Sequence, residues 1–186
     1  MHADATATLA VLSIDVQQSF PARPYWRDED VPAFRSNITR LIDGAAQRQW
    51  PVVRILHEEP EGAFSRASGL VAPLEWMPGA HAVEFIKHVH NAFTDTGLDR
   101  WLRGRGIRRV IVAGIRTEQC CETTARVASD LGYEVDFVSE ATLTFPMTDA
   151  RSGRQFSAAE IRERSELVLH DRFARIVSVD EALAGA

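Results

Sequence analysis

Short apolar runs of strand length alternate with amphipathic helical stretches along almost the whole chain, and this alternation leaves few ways to fold it. Residues 9–14 carry a first buried-strand pattern, and residues 34–50 follow as a helix with Ile38, Leu41, Ile42 and Ala45 on one side. Residues 51–56 give a second strand and 83–86 a short third. Thr96 opens a further helix, with Asp99 three residues on as in a capping box and Leu98, Trp101 and Leu102 supplying apolar contacts. Residues 109–113 form the next strand, ended by Gly114, and a helix then runs to Leu131 before Gly132 stops it. A strand at 134–138, a helix capped by Ser157 and Glu160, a short strand at 175–179 and a terminal helical turn complete the pattern. Strands that alternate with helices predict a three-layer α/β/α domain around a mainly parallel sheet, spanning 1–186 as one unit. Two stretches, 57–80 and 142–153, are irregular. The first is long enough to read as part of a site, a lid or an interface.

Composition narrows the function classes. The 186 residues are 45% hydrophobic, enough for a proper core, and the net charge of −5 comes from interspersed charges. With no basic stripe, nucleic acid is not expected as a partner. No stretch is long and apolar enough to span a membrane, and Met1 to Thr6 lacks the pattern of a signal peptide. Two cysteines without a secretion signal predict a reducing, cytoplasmic setting.

Those two cysteines, Cys120 and Cys121, are adjacent and sit where the strand ending at Gly114 turns into a helix. Thr117 is the expected helix cap, which makes Cys120 the third helical residue. Unpaired N–H groups and the helix dipole there would make a thiol more acidic than usual. The alternative is a small core residue. Cys121 shares a stripe with Ala125 and Ala128 and fits that description, whereas Cys120 points about 100° away. In parallel sheets ligands bind beyond the carboxyl ends of strands. Asp15, Lys87 and Cys120 all fall at or just after such ends. Taken singly, Asp15 also reads as a turn residue and Lys87 as a solvated surface charge.

Three motifs together resemble the isochorismatase-like cysteine hydrolases, the group that includes nicotinamidases and N-carbamoylsarcosine amidases. They are Leu12-Ser-Ile-Asp15-Val-Gln17-Gln-Ser-Phe20, then Lys87-His-Val-His-Asn-Ala-Phe93 followed by Thr96-Gly-Leu98, and Gly114-Ile-Arg-Thr117-Glu-Gln-Cys120-Cys-Glu-Thr-Thr124-Ala-Arg126. The resemblance implies a triad of Asp15, Lys87 and Cys120. It also implies an oxyanion hole from the backbone N–H groups of Arg116 and Cys120, exposed by a cis peptide between Ile115 and Arg116. Gln17, Phe20, Arg116 and Gln119 are the expected substrate contacts, with Phe20 equally readable as core and Thr124 as a cap or packing residue beneath the cysteine.

The implied activity is hydrolysis of a C–N bond in a small amide, ureide or carbamoyl compound through a thioester. The alternatives are vinyl-ether hydrolysis driven by Asp15, as in true isochorismatases, and a non-catalytic member of the fold. No cofactor is expected, and homodimers or homotetramers are common in the family. The Asp-x-His motif of metal-dependent nicotinamidases is missing from Arg54-Ile-Leu-His57-Glu58-Glu59, and the histidines are dispersed, so no metal is expected. Arg116 departs from the small or apolar residue usual in the family. It either pairs with an anionic group of the substrate or forms a salt bridge with Glu118, Glu122 or a neighbouring subunit.

Overall fold

The computed structural model describes residues 8–185, so the Met1 to Thr6 segment discussed above lies outside the described residues. Strands β1 (Leu9–Ile14), β2 (Val52–His57), β3 (Val83–Lys87), β4 (Arg109–Ile115), β5 (Glu134–Leu143) and β8 (Arg175–Ile176) form one sheet. Its order is β3-β2-β1-β4-β5-β8 and every pairing is parallel. Two short strands, β6 (Met147–Thr148) and β7 (Gln155–Phe156), pair antiparallel as a separate hairpin. The chain builds outwards from β1 through β2 to β3, then returns to the other side of β1 for β4. The carboxyl ends of β1 and β4 therefore flank the point where the winding reverses, the position where such sheets bind ligands.

Helices α1 (Val31–Gln47), α2 (Leu98–Arg103), α3 (Glu122–Asp130), α4 (Ala158–Leu169) and α5 (Val179–Ala184) complete the three layers. Alternate residues of the central strands feed two cores. Val11, Ile111 and Ala113 meet Phe34, Ile38 and Leu41 of α1 and Val179 of α5 on one face. Ala10, Leu12, Val110 and Val112 meet Leu98, Leu102, Ala125 and Ala128 on the other. That is why β1 is apolar at nearly every position: both of its faces are covered. No helix among the described residues is long and apolar enough to cross a membrane.

Several boundaries move from the sequence expectation. Helix α1 starts three residues early, because Pro32 is tolerated in a first turn, and stops at Gln47. Gln49, at φ 58, then turns the chain into β2. The expected Thr96–Asp99 capping box does not form. The Thr96 hydroxyl does accept from Leu98 N–H, but Asp99 bonds Arg103 and Tyr133 instead. Strand β5 is twice the expected length, running through Ser139 and Glu140, and a register shift opposite Val112 to Gly114 absorbs the irregularity. Ser157 and Glu160 form the anticipated capping box on α4. Residues 58–82 pack on the body of the fold: Phe64 and Leu74 are buried, and Trp76 meets the Phe34 ring edge-on at 6.0 Å.

Candidate active site

The site begins with the close approach of β1 and β4. Ile14 pairs with Gly114, which lies at φ +133. A Cβ at Gly114 would collide with the Ile14 carbonyl oxygen and lie 2.7 Å from the Ile14 nitrogen, so only glycine lets the two backbones pass this closely. The residue after Ile14 is Asp15, at φ 52, with its N–H donating to the Ile55 carbonyl at 2.8 Å. Beyond Gly114 the peptide bond joining Ile115 to Arg116 is cis. The chain then enters a widened helical turn, Thr117–Cys121, in which the Cys121 N–H reaches five residues back to the Arg116 carbonyl at 3.1 Å. Such π-type turns are rare and cluster at functional sites. Thr117 is not the cap that its type suggested. Its hydroxyl is buried against the Thr142 hydroxyl at 2.7 Å, the turn has no side-chain cap, and Cys120 is its fourth residue.

Lys87 ends the edge strand β3 in register with His57 of β2. Neighbouring strands lie about 4.8 Å apart, so β1 is roughly 10 Å away, and the lysine stem must cross the end of β2 to reach it. It does. Lys87 Nζ donates to Asp15 Oδ2 at 2.8 Å, to His57 Nδ1 at 3.2 Å and to Cys120 Sγ at 3.4 Å. An ammonium has three N–H donors, and here each faces one acceptor. The Asp15 and Lys87 side chains are 1% and 0% exposed, and Cys120 is 7% exposed. Among the described residues Asp15 Oδ1 is buried with no hydrogen-bond partner, an expensive state for a carboxylate oxygen.

Burial works against the Lys87 charge, but Asp15 and Cys120 outweigh it and raise the ammonium's pKa. Burial, then the Lys87 charge, pushes His57 below its ordinary range and keeps it neutral. Burial and the adjoining Asp15 carboxylate push the Cys120 thiol well above its ordinary value, with Lys87 opposing them. The acidic thiol expected from helix position is therefore corrected: desolvation and a neighbouring anion exceed what a helix terminus supplies.

Other expected residues fall differently. Gln17, an expected substrate contact, has its amide engaged inside the protein. It is fully buried, with Nε2 donating to the His57 carbonyl at 2.9 Å and Oε1 accepting from the His57 N–H at 2.7 Å. Phe20 is core, edge-on to Phe64 at 5.0 Å. The Arg116 guanidinium is held in an internal ion pair. Its Nη2 sits 2.8 Å from Glu118 Oε1, and the guanidinium lies 4.9 Å from the Tyr25 ring centre. Gln119 is partly exposed on the widened turn, while Cys121 is fully buried. Thr124 accepts from the Ala92 N–H at 3.1 Å and so ties α3 to the loop after β3. His57 was dismissed as one of several dispersed histidines, yet it touches the lysine. Only the β2–β3 register, which a sequence pattern does not carry, reveals that contact. Among the described residues no group of three or more His, Cys, Asp or Glu side chains is arranged to hold a metal ion.

Residues 9–179 match the isochorismatase domain model. An uncharacterized isochorismatase family protein of Bacillus subtilis, YrdC, is 29% identical over 177 residues, covering 94% of each chain. Nicotinamidase 3 of Arabidopsis thaliana is 46% identical over 59 residues, about a third of each chain (32% and 30%). Streptothricin hydrolase of Streptomyces noursei is 28% identical over 76% of this chain and 51% of its own length. Among solved structures, a proposed isochorismatase from Burkholderia xenovorans superposes with a TM-score of 0.87 at 31% identity, covering 97% of this chain and 88% of that one. A proposed isochorismatase-family hydrolase from Chromobacterium violaceum gives 0.86 at 28% identity over 99% and 95%.

Proposed function

The chain belongs to the isochorismatase family of hydrolases, and from that premise we propose that it cleaves the C–N bond of a small amide, ureide or carbamoyl compound with Cys120 as nucleophile. One observation carries the proposal: a single buried ammonium touches both the Cys120 sulfur and one oxygen of Asp15, while the other oxygen of that carboxylate has no partner among the described residues. A carboxylate left half-satisfied beside a protonated thiol is a base awaiting its proton. The names nicotinamidase and streptothricin hydrolase among the relatives agree with amide chemistry.

The steps follow from these positions. Asp15 Oδ1 takes the thiol proton as sulfur attacks the carbonyl carbon, and Lys87 balances the charge on both partners. Negative charge then moves to the carbonyl oxygen, where the backbone N–H groups of Arg116 and Cys120 are the assigned donors. Collapse breaks the C–N bond, and protonated Asp15 returns its proton to the departing nitrogen. Water, deprotonated by Asp15, opens the thioester to a carboxylic acid and restores the thiol. The sum is one amide and one water giving one acid and one amine.

The test is incubation with a panel of small primary amides, ureides and carbamoyl compounds, following ammonia or amine release and the intact mass of the protein. Turnover with an acyl adduct on Cys120, lost in Cys120→Ala, is the expected result. Amide turnover that persists in Cys120→Ala would refute the proposal, and hydrolysis of a vinyl ether that survives the same substitution would favour Asp15-driven ether cleavage.

A further inference from the structure

We propose that His57 is a positioning residue of this site: its neutral ring supplies the third acceptor of the Lys87 ammonium and so holds that ammonium between Asp15 and Cys120. The inference rests on the cysteine-hydrolase reading and adds a residue, and a proton, to it.

The tautomer follows from the partners. Lys87 Nζ is donor only, so the Nδ1 lying 3.2 Å from it must present a lone pair, and the ring proton sits on Nε2. Nε2 faces Glu59 Oε1 at 3.4 Å, an acceptor suited to that proton. The ring has little freedom to turn. Phe64 meets it edge-on at 5.8 Å, His90 stacks on it at 6.4 Å, and both backbone polar groups of His57 are held by the Gln17 amide. The buried Gln17 therefore acts through His57.

Every charged or titratable group around the ring bears on its state. Lys87 from β3 disfavours a second positive charge, whereas Asp15 after β1 and Glu59 favour it. His90 adds a titratable neighbour, and Cys120 lies on the far side of the ammonium. Burial and Lys87 prevail at neutral pH. On acidification a proton on Nδ1 would set N–H against N–H at the present separation, withdraw the acceptor and push the ammonium off its two partners. Cys120 would then lose the cation that favours its thiolate.

The experiment reads the second-order rate of Cys120 alkylation by iodoacetamide, in a Cys121→Ala background, from about pH 5 to 8, where histidine changes charge. His57→Asn keeps an acceptor oxygen near the Nδ1 position and cannot titrate. Its rate at neutral pH should stay within a few-fold of the parent, and the acid loss of rate seen in the parent should shrink. His57→Leu removes the acceptor, and its rate should fall roughly ten- to hundredfold at neutral pH, the worth of one hydrogen bond to a charged group, and approach the parent's at the acid end, where the parent has lost its acceptor too. An unchanged acid limb in His57→Asn, with the parent fully reactive, overturns the role of His57 and leaves the hydrolase reading intact. A parent whose Cys120 is unreactive and indifferent to Asp15→Asn overturns both.

Discussion

Gly114→Ala tests whether the contact of β1 with β4 is what assembles the site. The new methyl would collide with the Ile14 carbonyl oxygen and sit 2.7 Å and 2.8 Å from the Ile14 nitrogen and carbonyl carbon, all backbone atoms of a fully buried strand that cannot step aside. Overpacking of this kind costs about 1–3 kcal/mol. The φ of +133 adds a backbone penalty of about 1–3 kcal/mol for any residue with a side chain. Together about 2–6 kcal/mol is at stake, a lowering of Tm by roughly 4–24 °C in a chain of this size. Gly106→Ala is the control, since Gly106 also has a positive φ, of 69, but open space where its Cβ would go. It should lose only about 1–2 kcal/mol. Melting and urea curves of the two variants measure the difference. Cys120 alkylation should slow in Gly114→Ala beyond any loss of folded protein, because the displaced residues carry Asp15 on one side and Arg116 on the other. Equal destabilisation of both variants, with alkylation intact, would refute the collision argument.

Four further outcomes follow from the contacts. Lys87→Met removes the cation that opposes the raised Cys120 pKa, so the thiol should titrate higher still and alkylation at neutral pH should fall at least roughly tenfold, one pKa unit's worth; an unchanged rate would show that the ammonium does not act on the sulfur. Glu122 is 5% exposed and accepts from Arg126, Arg164 and Ser165, joining α3 to α4; Glu122→Ala should cost about 2–3 kcal/mol in urea unfolding, below the full price of a buried pair because both arginines are partly solvated. A double-mutant cycle of Arg116→Met and Glu118→Gln should give a coupling of about 1–2 kcal/mol, whereas no coupling would free Arg116 for a ligand. Glu160 is held below the ordinary glutamate range chiefly by the Ser157 N–H and hydroxyl. A carboxyl whose folded pKa is depressed stabilises the fold above its unfolded value and loses that contribution as pH falls through the folded one. Acid unfolding of Glu160→Gln should therefore depend less on pH at its acidic end than that of the parent.

The strands were legible where burial on both faces makes a run of apolar residues: β1 was placed residue for residue and β4 to within two, and α4 was marked by its capping box. Asp15, Lys87 and Cys120 were visible as strand-end residues, and the structure brings them into contact. What escaped depended on distances across the sheet. The position of Gln17 beside Asp15 is readable, but the His57 backbone that holds its amide lies one strand away. His57 was missed because strand register decides which residue of β2 sits beneath the lysine. The acidity of Cys120 was misjudged because helix position is a local signal, while desolvation and the Asp15 charge arise only after folding. The doubling of β5 was hidden by Ser139 and Glu140, polar residues that interrupt an otherwise continuous apolar pattern.

Lys87 is the last residue of a strand paired on one side only, and most of that strand is partly open to solvent. Edges of this kind loosen at lower free energy than the middle of a sheet. Warming should thus draw Lys87 away from Asp15 and Cys120 by fraying one border, well before the central strands separate. Heat inactivation that runs ahead of the melting transition, and recovers on cooling, would be the mark of a catalyst whose weakest seam holds its switch.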